Sequence, residues 1–176
     1  MASELRAIYL TGDRVYLRAH VEEDKNCAMA WHPGPFPINS ARAEEVLKEW
    51  HKEFWPRTRR FAVCSVETDE VVGGVSVSFW ERNADIDMHT APWLENGNEV
   101  KGDVLKIVIP WLSEEWDRVA VTAVMPADHA DTIEAAESLG MEHTATFREF
   151  YARPGGARAD QLIYQKLNPR GEFPDA

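Results

Sequence analysis

Ala84-Asp85-Ile86-Asp87-Met88-His89-Thr90, followed by Glu95-Asn96-Gly97-Asn98-Glu99-Val100-Lys101-Gly102, is the stretch on which the reading of this chain turns. The first run reads as a strand. Side chains alternate across a strand, so Asp85, Asp87 and His89 share one face, and Ile86, Met88 and Thr90 share the other. From Val100 to about Glu115 the apolar residues Val104, Ile107, Val108, Trp111 and Leu112 recur at helical spacing. Pro110 inside that run lacks an N–H and is expected to bend the helix. The residues between are a turn that opens a helix. Such a junction directs free backbone N–H groups at an anion, most often a phosphate.

Working outward, Ile8 to Ala19 reads as a strand region interrupted by Thr11-Gly12-Asp13. A short helix is expected over Glu22 to Trp31. His32-Pro33-Gly34-Pro35-Phe36-Pro37 must be loop, because its prolines deny both helix and ladder. Ser40 has the character of an N-cap, and Val46, Leu47, Trp50 and Phe54 predict an amphipathic helix over Ala41 to Trp55. Strands are expected at Phe61 to Glu67, Val71 to Glu81 and Ala84 to Ala91, and a doubly buried one at Val119 to Val124. Asp131-Thr132-Ile133-Glu134 reads as a capping box, and Gly140 suits the left-handed position after that helix. His143 to Ala152 and Asp160 to Leu167 form a closing hairpin around Arg153–Arg158, and 169–176 reads as a loose tail. The expectation is a single domain over 1–168, with a mixed α/β sheet of about seven strands and four helices.

Lys and Arg number 19 against 30 Asp and Glu, a formal charge of −11. Nucleic acid and anionic membrane surfaces call for a basic protein and are excluded as general partners. The two cysteines, Cys27 and Cys64, make no disulfide framework and no metal or redox spacing, which fits a reducing cytoplasm. No His-Glu-x-x-His or Cys–His pattern occurs, so no metal site is expected. No basic-then-apolar leader opens the sequence, and no run of 18 apolar residues spans a membrane. Gly97 to Gly102 has the glycine spacing of a nucleotide P-loop, but Asp103-Val104 stand where Lys and Ser/Thr are needed.

The order of elements, together with particular residues, resembles the GCN5-related N-acetyltransferase (GNAT) family and its RimJ/RimL-like branch. Leu10 to Ala19 with Glu23-Asp24 is similar to the branch's opening. Val71-Val72-Gly73-Gly74-Val75 resembles its Ile-Gly-Gly strand, and Ala84-Asp85-Ile86-Asp87 its Ala-Glu-Ile-Gly strand. Asp128-His129-Ala130-Asp131-Thr132-Ile133 through Leu139-Gly140-Met141 resembles its Asp-Asn-x-x-Ser-Ile … Leu-Gly-Phe segment. Arg148-Glu149-Phe150 and Asp160 to Tyr164 are similar to its closing hairpin.

The resemblance implies a wedge between the strand at 84–91 and the strand at 119–124. It would take the pantetheine arm of acetyl-CoA or another acyl-CoA, with the pyrophosphate on the loop at 95–101. The implied contacts are Met88, Asn96, Gly97, Asn98, Val100, Lys101 and His129. The sequence departs from the family's glycine loop: Glu95 and Glu99 bring negative charge to a dianion's place, and Lys101 is the nearby compensation. His129 stands where the family has Asn, and Ala136 where some relatives carry a general-acid tyrosine.

Asp85, Asp87 and His89 form a candidate base or amine-binding cluster; the competing reading is a solvated outer face. Thr132 occupies the family's Ser slot, at which the leaving thiolate is protonated or the cofactor contacted, or is an ordinary first-turn residue. Trp31, His32, Phe36, Trp50, Phe54 and Trp55 form either an aromatic wall for a bulky or cationic acceptor or part of the core. Tyr151 and Tyr164 have the same two readings.

The implied activity is N-acyl transfer from acyl-CoA to a primary amine of a small molecule or peptide, in a protein that can form a homodimer. The alternative is a binding or scaffold protein of the same fold. A third reading is a changed donor, such as a shorter pantetheine carrier. The orientation of Glu95 and Glu99 discriminates between the first two.

Overall fold

The computed structural model describes residues 8–33, 37–52, 57–116 and 118–168. Phe36, Phe54, Trp55 and the tail expected at 169–176 lie outside the described residues. Strands β1 (Ile8–Thr11), β2 (Val15–Arg18), β3 (Thr58–Ser65), β4 (Val71–Trp80), β5 (Asn83–Thr90), β6 (Ala120–Pro126), β7 (Glu142–Ala152) and β8 (Arg158–Leu167) form one sheet in the order β1-β2-β3-β4-β5-β6-β8-β7. The expected count of about seven becomes eight. Thr11-Gly12-Asp13 folds the first strand region back on itself, with Gly12 N–H donating to Val15 O at 2.9 Å, so that it forms an antiparallel pair. Every pairing is antiparallel except β5 with β6.

Four helices cover the sheet. A 3-10 turn (Glu22–Cys27) leads into α1 (Ala28–Trp31), followed by α2 (Ser40–Lys52), α3 (Gly97–Pro110) and α4 (Ala130–Ser138). Asn39 rather than Ser40 caps α2, its Oδ1 accepting from Arg42 N–H at 2.8 Å. Val104, Leu105, Val108, Ile109 and Leu112 of the α3 segment are at most 1 % exposed and pack on Leu17, Val63, Val77, Ile86 and Val121. Each such burial is worth about 1.5–3 kcal/mol. Trp31, Ala28, Ala43 and Leu47 form a second cluster, made by α1 and α2.

Pro110 marks a change of helical turn. Trp111–Glu115 continues as a π turn, closed by Trp116 N–H to Trp111 O at 3.2 Å. The missing proline donor releases the four-residue register and the wider turn takes over. Gly140, at φ +76°, closes α4 as expected: Gly140 N–H reaches Glu137 O (2.9 Å) and Met141 N–H reaches Ala136 O (3.1 Å), a Schellman closure. The capping box at Asp131 does not form. His129 is the N-cap residue, without a side-chain cap bond, and the Thr132 hydroxyl is engaged elsewhere.

Candidate active site

The parallel ladder between β5 and β6 runs from Asn83↔Ala120 to Ile86↔Ala123 and stops there. Both strands continue, β5 to Thr90 and β6 to Pro126, so the sheet opens into a wedge. Ala91 N–H points at β4, donating to Val72 O. Backbone groups alternate sides along a strand, so Met88 and Thr90 turn theirs into the wedge. The side chains of Ile86 and Met88 go to the core under α3.

The first turn of α3 closes one end of this opening. Gly97 N–H bonds to Leu94 O and Val100 N–H to Asn96 O. Helix geometry leaves the N–H groups of Asn98 and Glu99 without intrahelical acceptors. Gly97 is buried so tightly on β5 that a Cβ there would lie 2.8 Å from Thr90 Oγ1. Both loop carboxylates are exposed. Glu99 is turned away and held by Arg14 (2.8 Å), which also pairs with Asp103 at 2.6 Å. Thr132 is fully buried, and its hydroxyl donates to Asn98 O at 3.0 Å. It therefore anchors the helix start rather than offering a proton to a leaving group.

Lys101 is half-buried near the start of α3. Burial pushes its pKa down, while it feels the charges of Asp87 on β5, Asp128 before α4 and Arg153 after β7. His129 is the next neighbour: burial, then the Lys101 charge, lowers its pKa to about 4, so it is neutral at pH 7. Its Nδ1 is buried without a hydrogen-bond partner. Arg153 grips Asp128 through two bonds, 2.8 and 2.7 Å, and its guanidinium lies 5.4 Å from the Tyr151 ring centroid. A β-bulge between Phe147 and Tyr151, with Glu149 at φ 52°, redirects the end of β7. Burial and the Asp87 charge raise the Tyr151 pKa.

On the opposite face of β5, Asp87 and His89 line a 70 Å³ pocket with Gly74, Trp31 and Trp50. His89 Nε2 donates to Met29 O at 3.3 Å, which leaves the lone pair on Nδ1. Burial lowers the His89 pKa, so the ring is a neutral base at pH 7. Asp85 is exposed beside Thr122, where β5 and β6 are still paired, and stands apart from this pocket. Asp85 and Asp87 are both exposed, and of the three only Asp87 and His89 line this pocket. Trp31 is core, 2 % exposed, and also pocket wall. Tyr164 is core, its hydroxyl bonded to Glu137. Sequence reading missed Arg153, Arg60 and His20, which reach the site from distant segments. Among the described residues no group of three His, Cys, Asp or Glu could hold a metal, and no helix is long and apolar enough to cross a membrane.

No family model matches the sequence, and no curated protein matches it. Solved structures do. A GNAT-family acetyltransferase from Bacillus anthracis superposes with a TM-score of 0.66 at 12% identity, covering 92% of this chain and 99% of that one. The ribosomal-protein-S5-alanine acetyltransferase of Vibrio fischeri gives 0.65 at 15% identity, covering 92% and 97%. The fold is that of the GNAT acetyltransferases. A candidate acetyltransferase from Sphaerobacter thermophilus DSM 20745 gives a TM-score of 0.74 at 38% identity, covering 94% of this chain and 99% of that one. The chain belongs to this acetyltransferase family.

Proposed function

We propose that this protein is an acyl-CoA-dependent N-acyltransferase that acetylates a primary amine. The observation that carries the reading is the β5–β6 opening, which ends on the α3 N-terminus while Glu99 is drawn off to Arg14. The residues fit an acyl-CoA. The free N–H groups of Asn98 and Glu99, the positive end of the α3 dipole and the Lys101 ammonium suit a pyrophosphate. The backbone of Met88 suits an extended pantetheine arm, and His129 lies beside its path. Acetyl-CoA supplies an activated thioester carbonyl.

The chain supplies orientation and proton transfer. Asp87 attracts the incoming ammonium, His89 Nδ1 takes its first proton and releases it to solvent, and the neutral amine nitrogen then bonds to the acyl carbon as the carbon–sulfur bond breaks and its second proton leaves by the same route. The thiolate takes a proton from solvent. Positioning of this kind is the main catalytic term in direct attack. Acceptors of the class that the family implies are small amines or protein N-termini. The Arg14 pairing of Glu99 and the exposure of Glu95 favour this reading over the binding-protein alternative.

Titration calorimetry with acetyl-CoA tests the reading. Micromolar binding that weakens with added salt is expected, followed by thiol release on addition of an amine. Absence of binding up to millimolar concentration overturns it.

A further inference from the structure

The ladder between β2 and β3 ends at Arg18↔Ala62, yet β3 begins at Thr58. Its first residues, Thr58 to Phe61, therefore keep β4 on one side and no strand on the other among the described residues. The space so opened is a groove of 450 Å³ walled by Trp50, Phe61, Trp111 and Trp116. That volume lies within the range of small-molecule sites, roughly 300–1,000 Å³. The groove shares His20, Trp50, Arg60 and Phe61 with the 70 Å³ pocket at Asp87 and His89. The two adjoin through these shared walls, a run from β5 past β4 to the gap beyond β3.

Charge is distributed unevenly along this path. The inner pocket carries one carboxylate, Asp87, with Arg60 also on its wall. The described lining of the outer groove carries Arg59 and Arg60 and no carboxylate, in a chain of net charge −11. Arg60 lies flat on Trp50, 4.9 Å from the ring centroid. Arg59 is half-buried and has no ion pair among the described residues. Both arginines come from β3; Arg60 lines both pockets, and Arg59 lines the outer groove alone.

We infer that the acceptor is an elongated amino acid or short peptide whose amine enters the pocket at Asp87 and His89, whose apolar body lies among Trp50, Phe61 and Trp111, and whose carboxylate ends at Arg59. A slim amine tip is required, because the inner pocket is small. An amine on a polycationic body is disfavoured, because its second charge meets Arg59. The inference names the acceptor of the acyltransferase reading and rests on it, while its test needs no acyl donor.

Glycyl-L-phenylalanine and glycyl-L-phenylalanine amide differ only at the far carboxylate. Calorimetry of each against the full chain at low salt is expected to give at least about tenfold tighter binding of the acid, the size of one charge-assisted contact of about 1.4 kcal/mol. Arg59→Gln should bring the two peptides within about twofold, and Arg59→Lys should restore most of the preference. Equal binding of acid and amide, no binding of either up to millimolar concentration, or a preference unchanged in R59Q overturns the inference. Failure of acetyl-CoA to bind would remove the acyltransferase reading and leave this ligand class standing.

Discussion

The hydroxyl of Thr132 donates to the carbonyl oxygen of Asn98 across 3.0 Å, and this bond ties the first turn of α4 to the first turn of α3. Its donor is fully buried, and it links the two helices that flank the wedge. Thr132→Val keeps the shape and removes the donor, leaving the Asn98 carbonyl unmatched. A loss of about 1–3 kcal/mol in urea denaturation is expected, with weaker acetyl-CoA binding, because the first-turn N–H groups lose their anchor. Thr132→Ser should recover most of both. Wild-type stability in T132V would show that the bond contributes nothing.

Gly74 and Gly140 are both needed, for different reasons. A Cβ on Gly74 would meet the backbone of Trp31, 2.8 Å from its carbonyl oxygen and 3.1 Å from its Cα. Backbone cannot step aside as a side-chain tip can, so α1 must shift. Gly74→Ala should cost about 1–3 kcal/mol by overpacking and change the tryptophan emission, because Trp31 moves. Gly140 has open space around a Cβ but sits at φ +76°. Gly140→Ala should cost about 1–2 kcal/mol through left-handed strain alone, with emission unchanged. Thermal unfolding read by fluorescence separates the two mechanisms. An unchanged spectrum in G74A would count against the steric account.

The strand at 84–90 and the helix after it were legible because alternation and helical spacing are local signals. Gly140 was legible because a left-handed C′ position selects glycine. The placement of Lys101 among Asp87, Asp128 and Arg153 was not, since those partners come from three elements and no short-range pattern couples them. Arg153 read only as part of a hairpin loop, and the bulge at Glu149 that turns it inward has no glycine to announce it. Thr132 matched a capping signature, yet its hydroxyl was worth more to Asn98 on another helix. The groove beyond β3 was hidden for a similar reason: where a ladder stops depends on the partner strand as well as on the strand itself.

Acid should destabilise this protein well above the ordinary carboxylate range. Burial lowers the pKa of His20 and His89, and burial with the Lys101 charge lowers that of His129 to about 4. The unfolded chain protonates these rings near pH 6.5. Below that pH it binds more protons than the folded chain, so stability falls as the pH drops from about 6.5 toward 4. A second loss follows at lower pH. Burial raises the Asp24 pKa, but two 2.8 Å bonds from Arg18, with His20 and the Val21 N–H, more than reverse this and hold it well below the usual range. That contribution is present above pH 3.9 and lost below it. Urea midpoints should be level above pH 7.5 and decline steadily to pH 4, and His129→Asn should make the decline shallower. A midpoint constant from pH 7.5 to 5 would contradict the buried neutral histidines.

Lys101 tests the donor site most directly, because its charge is costly in the free protein and useful in the complex. Burial disfavours the ammonium, and the nearby Arg153 adds to the penalty. Lys101→Met removes both effects and keeps the apolar stem, so the free variant should be as stable as the wild type or slightly more so. Acetyl-CoA affinity should nevertheless fall about tenfold or more, the loss expected for one charge-assisted phosphate contact. The variant's affinity should also depend less on salt, because one paired charge is gone. Lys101 lines neither the inner pocket nor the outer groove, but its charge acts on Asp87 and His89, so affinity for the amine should be unchanged or modestly tighter once its repulsion of the ammonium is removed. Equal acetyl-CoA affinity in wild type and K101M would mean that the ammonium does not serve the donor, and the phosphate would then rest on the first turn of α3 alone.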